Sequence, residues 1–408
     1  MTPAPVTLTP FLTRVRVKNF RSLSECDVRL GPLTVLAGPN AAGKSNFIDA
    51  IRFVRDALRS SPGQVLESRG GLAEVLHRST EGSAQADSFT IRLDAQVPDR
   101  VAGTALHTSY HLEVGFDPRG GGLPVLRGEE VRVSGGWRGD QFLPARAGEA
   151  GVAWRDHILL PRSAPTDADV NALYVRLREM RFHELLTPAL RVVDDTPASS
   201  AGNTLGERGE HLPRVLSALA REWPWAKETI DGYVSTMVDN AAGLDGVEVP
   251  EGDLAFVVGR FVGGDGLTSR VDRRSLSEGT LRLAGVLAAL FQPKALTGEI
   301  PLVAIEEPEV SLHPPMLGAL YDALLAASRN TQVMVTTQSA DLLDNASADP
   351  GHVVVVHNEG SGTSIGPIDA AGRHLLDEGV LTLPELLRSG ELRPAPTPVT
   401  TEQEEAPE

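Results

Sequence analysis

The sequence predicts an α/β fold: a mixed, largely parallel sheet with helices on both faces, an antiparallel β subdomain, and a mostly helical insertion between the two halves. Three observations predict it. A short apolar run at residues 33–37 precedes a stretch in which Phe47, Ile51, Val54 and Leu58 fall on one helical face. Residues 89–97, 110–116 and 125–133 alternate loosely between apolar and polar and are separated by Gly/Pro clusters, as antiparallel strands are. Beyond residue 271, short continuous apolar runs at 302–305, 333–336 and 353–356 alternate with helical stretches, the pattern of a parallel sheet covered on both faces.

In chain order, residues 1–10 lack periodic apolar positions and read as a disordered start. Residues 11–134 form the first half of the α/β unit, opening with Val15 and Val17 alternating with charge. Residues 135–270 are irregular, with helices expected at 170–186 and 211–237 and a loop at 194–210. Asp167 and Asp169 read as the start of a helix rather than a metal site. Residues 271–393 form the second half, and 394–408, rich in Pro, Thr and Glu, read as a disordered acidic tail. No internal repeat or heptad array appears.

Composition narrows the function. Apolar residues make up 41% and charged residues 23%, a globular balance. The longest nearly apolar stretch, residues 283–291, is far shorter than a membrane span. No signal peptide is read at the N-terminus, and the single cysteine, Cys26, rules out an internal disulfide, so a cytoplasmic location is expected. The net charge of −16 argues against a protein that coats nucleic acid over its whole surface, and 5% aromatics argues against a base-stacking platform. The 34 arginines still allow a local basic groove, whereas lysines number only four: Lys18, Lys44, Lys227 and Lys294.

Lys44 stands in Gly38-Pro39-Asn40-Ala41-Ala42-Gly43-Lys44-Ser45-Asn46, which contains G-x-x-x-x-G-K-[ST] between an apolar strand and an amphipathic helix. Gly38 and Gly43 permit a loop whose backbone N–H groups wrap phosphates, and the helix N-terminus adds its positive end. Lys44 would reach the β- and γ-phosphates of ATP and Ser45 would ligate Mg²⁺.

The strand at 302–305 ends in Glu306, Glu307 and Glu309. In parallel sheets ligands gather at the carboxyl ends of strands. Glu306 is assigned to the metal and Glu307 to orienting and deprotonating a water. Alone, the run reads equally as a solvated acidic turn; beside the phosphate loop it reads as a site. A further strand, from Gln332, ends at Gln338 and Ser339, where a polar side chain could meet a γ-phosphate.

Together these stretches resemble ABC-type ATPase heads of the RecF/SMC class, and most closely small bacterial "AAA family ATPases" related to OLD-family and abortive-infection ATPases. Residues 15–23 (VRVKNFRSL) resemble the opening strand, 38–49 (GPNAAGKSNFID) the phosphate loop, 276–280 (LSEGT) the ABC signature, 305–314 (IEEPEVSLHP) Walker B and the loop after it, and 336–339 (TTQS) the end of the switch strand. The resemblance runs from about 15 to 344, in order, and 135–270 carries none of it. It implies that Ser277 and Gly279 meet the γ-phosphate held by a second copy, so that ATP glues a homodimer. Ser275 and Glu278 have capping-box spacing, and an ordinary helix cap reads the signature stretch equally well. Arg21 stands where the resemblance implies an approach to nucleotide, or else is a surface arginine. His313 would touch the partner. Gln338 stands in place of the usual histidine and cannot titrate. No Q-loop is identified, no long coiled-coil arms are expected, and no OLD-type nuclease domain fits after the head.

The function expected is an ATP-binding and ATP-hydrolysing dimeric ATPase with ATP and Mg²⁺ as cofactors. By resemblance it would work in DNA repair or phage defence, with DNA or a separately encoded nuclease or toxin as partner and no membrane. The alternative is a non-hydrolysing, ATP-dependent scaffold. A P-loop kinase is a third reading, which the signature stretch and the paired glutamates oppose.

Overall fold

The computed structural model of the chain describes residues 10–78, 86–98, 105–117, 122–135, 141–146, 167–197, 204–358, 360 and 362–396. Residues 1–9 of the expected disordered start, most of the acidic tail and residues 136–140, 147–166 and 198–203 of the insertion lie outside the described residues. The fold is the α/β architecture foreseen, with parallel and antiparallel sheets and helices on both faces.

Strands β1 (Leu12–Phe20), β2 (Leu23–Arg29), β3 (Leu33–Ala37), β4 (Ser88–Pro98), β5 (Ala105–Phe116), β6 (Pro124–Ser134) and β7 (Gln141–Arg146) come from the first part of the chain. All but β3 form an antiparallel sheet, ordered β2-β1-β4-β5-β6-β7. Then follow β8 (Arg181–His183), β9 (Ala241–Val249), β10 (Leu254–Val262), β11 (Thr268–Asp272), β12 (Leu302–Glu306), β13 (Gln332–Thr337), β14 (Val353–Asn358) and β15 (Thr363–Pro367). The central sheet is β15-β14-β3-β13-β12-β8, parallel except for β15. The main helices are α1 (Lys44–Arg59), α2 (Ala168–Glu179), α3 (Leu212–Glu222), α4 (Pro224–Met237), α5 (Glu278–Phe291) and α6 (Leu317–Ala327).

The central strands are apolar throughout because both their faces are covered. On β3, Leu36 joins a core shared with the antiparallel sheet and α1, while Leu33, Val35 and Ala37 join a second core under α3, α4, α5 and α6. Gln332, 1% exposed at the head of β13, ties the two sheets together. Its Oε1 accepts from Leu12 N at 2.8 Å, and its Nε2 donates to Leu12 O at 2.8 Å and Gly31 O at 2.9 Å. Cys26 points into the first core, and burial pushes its thiol up to about 12.

Residues 135–270 depart from the sequence expectation in three ways. The helix expected over 170–186 stops at Glu179, and Arg181–His183 instead extends the central sheet by pairing with β12. The helices at 211–237 are joined by an antiparallel sheet, β11-β10-β9, whose strands alternate too irregularly to be seen in sequence. Asp194, in the expected loop, makes two backbone hydrogen bonds with Ala255. Asp167 caps α2, accepting from Asp169 N and Val170 N, as read. At the first residues of the expected tail, Ala395 N bonds Pro367 O at 2.7 Å.

Candidate functional site

The loop 38–43 leaves the carboxyl end of β3 and turns into α1. Gly38 N bonds Thr337 O at 3.2 Å, anchoring the loop to the end of β13. A Cβ on Gly38 would lie 2.0 Å from Val356 O, so only glycine fits there. Ala41 (φ 60°) and Gly43 (φ 107°) are both left-handed, which curls the backbone ahead of the helix. Pro39, Asn40, Ala41 and Ser45 are exposed, and Ala42 is buried. Lys44 is 5% exposed, and its Nζ donates to Gly38 O and Pro39 O, both at 2.8 Å. Burial lowers its pKa, and the neighbouring Glu307 and Glu309 oppose that shift.

The glutamates arrive at the end of β12, next but one to β3. The Ser45 side chain lies near enough to the Glu306 carboxyl group to lower its pKa, and Arg52 approaches the same carboxyl group at 3.4 Å. Burial raises the Glu306 pKa, and Ser45 and Arg52 pull it back. Two hard oxygen donors therefore stand together beside the phosphate loop, a donor set that fits Mg²⁺. Glu307 adopts φ 46°, and its N–H is held by Thr336 Oγ1 at 3.0 Å. Glu309 is buried, with Oε1 accepting from Thr337 Oγ1 at 2.5 Å. Thr337 Oγ1 also accepts from Ser339 N at 3.0 Å, so both residues flanking the exposed Gln338 are held.

Arg21 pairs with Asp49 of α1 at 3.0 Å and lines a cavity of 320 Å³ with Ser22, His77 and Asn358. Asn46 Nδ2 donates to Ser22 Oγ at 2.7 Å. Thr363 Oγ1, 2.8 Å from Ala42 O, braces the loop from β15. Thr336, Thr337 and Thr363 were missed in the sequence, because their partners lie in distant segments.

The signature stretch opens α5, and here the cap differs from expectation. Ser277, not Ser275, is the N-cap, and its Oγ accepts from Thr280 N at 3.1 Å. The helix starts at Glu278, so Glu278 cannot close a capping box; its Oε1 accepts from Thr187 instead. Ser277 and Gly279 line an open cavity of 350 Å³ with Ser311, Leu312 and His313, a different cavity from the one at Arg21.

Residues 11–91 match the family described as "AAA ATPase domain", and residues 248–344 match "AAA domain, putative AbiEii toxin, Type IV TA system". An OLD nuclease of Thermus scotoductus is 54% identical over 355 residues, covering 82% of this chain and 60% of that protein. The chain is an ABC/AAA-type ATPase head. It is related to the OLD-nuclease and abortive-infection ATPases, and it spans about 60% of the length of that OLD nuclease. The DNA replication and repair protein RecF of Gloeobacter violaceus is 26% identical over 397 residues, 82% of this chain and 94% of its own. The ATPase head has the fold of an SMC head crystallised with the C-terminal winged-helix domain of ScpA (TM-score 0.57, 12% identity, 89% of this chain and 100% of that one). A Pyrococcus furiosus SMC head is similar in the same sense, with a TM-score of 0.54, 11% identity, and 91% of this chain and 100% of that one covered. Among the described residues no helix is long and apolar enough to cross a membrane.

Proposed function

We propose that this ATPase head binds ATP·Mg²⁺ on the 38–45 loop and hydrolyses it within a dimer, each nucleotide closed off by Ser277 and Gly279 of the second copy. One observation carries the reading: the Ser45 side chain lies close to the Glu306 carboxyl group beside Lys44, at the carboxyl ends of two parallel strands, β3 and β12, that flank β13. Backbone N–H groups of the loop and the N-terminus of α1 bind the phosphates, and Lys44 donates to the β- and γ-phosphate oxygens. Ser45 and Glu306 would hold Mg²⁺, which when bound would supply positive charge to those phosphates. Glu307, oriented by the Thr336 hydroxyl on its N–H, accepts a proton from the attacking water. Gln338 donates to a γ-phosphate oxygen, and Arg21 borders the nucleoside end.

Replacement of Glu307 by Gln tests this directly. The variant should bind ATP, stall as a dimer by light scattering, and release phosphate at least about 100-fold more slowly than wild type. A variant that remains monomeric with ATP, or a wild type without turnover, refutes the reading. The exposed Gln338, which carries no titratable proton, favours a second reading, a non-hydrolysing scaffold. In that case Glu307→Gln leaves dimerisation and cellular function unchanged. The same reading places the protein in the cytoplasm, in DNA repair or phage defence, with DNA and a separate nuclease or toxin effector as partners; the relatives named for DNA replication and repair support the first of these roles. Phosphate release with and without duplex DNA tests the first partner.

A further inference from the structure

Arg282 sits one turn into α5, behind the signature turn, and its guanidinium spends its donors on three carbonyls in two separate segments. Nη1 donates to Leu185 O at 2.6 Å, just after β8. Nε donates to Val310 O at 3.1 Å, and Nη2 to Glu307 O at 3.4 Å. The segment it grips is an unusual one. Glu307 (φ 46°) and Ser311 (φ 66°) are both left-handed without being glycine, a conformation that surroundings must impose. The signature turn also touches that segment directly: a Cβ on Gly279 would lie 2.4 Å from Ser311 O. The helix capped by Ser277 and the backbone that carries Glu307 are therefore joined at two points.

We propose that Arg282 is a positioning residue that aims the Glu307 carboxylate according to whether the signature turn of the same chain is engaged. The inference rests on the dimer reading given above. In such a dimer Ser277 and Gly279 meet the partner's nucleotide, while Glu307 serves the chain's own. A shift at the start of α5 then moves the Glu307 and Val310 carbonyls with it. The three guanidinium bonds make that transmission stiff, because a planar fork holds its acceptors in fixed relative positions. Occupancy of one nucleotide site thus sets the geometry of the other, and hydrolysis is cooperative.

Two variants test it, Arg282→Met and Arg282→Lys, the latter keeping the charge but not the fork. Five quantities are measured: unfolding temperature, affinity for a non-hydrolysable ATP analogue, ATP-dependent dimer mass, kcat, and the Hill coefficient for ATP. The expected result is unchanged dimer mass and analogue affinity within about twofold. With them go a kcat at least about tenfold lower and a Hill coefficient falling from near 2 toward about 1. Lysine should recover stability more than cooperativity. Unchanged kcat and Hill coefficient in a folded variant overturn the proposal. So does a parallel fall of affinity, dimer mass and unfolding temperature, which would mark a mere brace. The Glu307→Gln chain separates the two levels. If it never dimerises with ATP, the dimer reading and this inference fall together; if it does and Arg282 proves neutral, only this inference falls.

Discussion

Gln332→Leu removes the amide that joins the two sheets while nearly keeping its volume. Three hydrogen bonds go, and Leu12 N–H, Leu12 C=O and Gly31 C=O lose their partner. An orphaned buried polar group costs about 1–3 kcal/mol. The two Leu12 bonds are buried and count in full; the Gly31 bond is partly buried and counts least. The sum is a loss of roughly 2–5 kcal/mol. Urea unfolding followed by tryptophan fluorescence reads this as a lower midpoint at unchanged slope. Gln332→Glu should be as damaging, since it keeps the acceptor for Leu12 N but sets an oxygen against two carbonyls. A loss below about 1 kcal/mol for the leucine variant would refute the reasoning, because it would mean the amide contributes no net bonding across the sheets.

Lys44→Met should weaken ATP binding by about 10- to 100-fold, the worth of one charged contact to phosphate, as read by titration calorimetry. His183 is fully buried, and burial lowers its pKa to about 4. The unfolded chain takes up that proton near pH 6.5 and the folded chain does not. Stability is therefore complete above about pH 7 and falls as pH drops toward 4, by roughly 3 kcal/mol, and His183→Gln should flatten that limb of the pH–stability curve. Cys26, at 1% exposure, should resist a thiol reagent in the folded protein and react once per chain in denaturant; labelling under native conditions would contradict its place in the core.

What could be read from the sequence followed from how local each signal is. The phosphate loop is a nine-residue string between a strand and a helix, and its flanking elements formed where the periodicity put them. The central strands were legible because burial on both faces makes them uniformly apolar. The three-residue β8 was not, since a strand that short has no period of its own and depends on β12 for pairing. β9 was hidden by a burial pattern without regular alternation. The shift of the α5 cap from Ser275 to Ser277 shows the limit of spacing rules: both serines offer a cap, and the helix begins only at Glu278. Arg282, Thr336 and Gln332 were illegible for a different reason. Their partners stand 25 to 320 residues away, and no local pattern encodes such contacts.

The position of β3 bears on how the protein is made. Its hydrogen-bonding neighbours, β13 and β14, are synthesised some 300 residues after it. At about 5–20 residues per second, a ribosome has completed the glycine-rich loop roughly 15–60 s before the strands that hold it in shape exist. On the proposed reading, cellular ATP would meet a floppy loop during translation and a rigid cradle only near its end. Nucleotide capture would then mark a finished chain, and the captured nucleotide would stabilise the newly closed sheet by mass action.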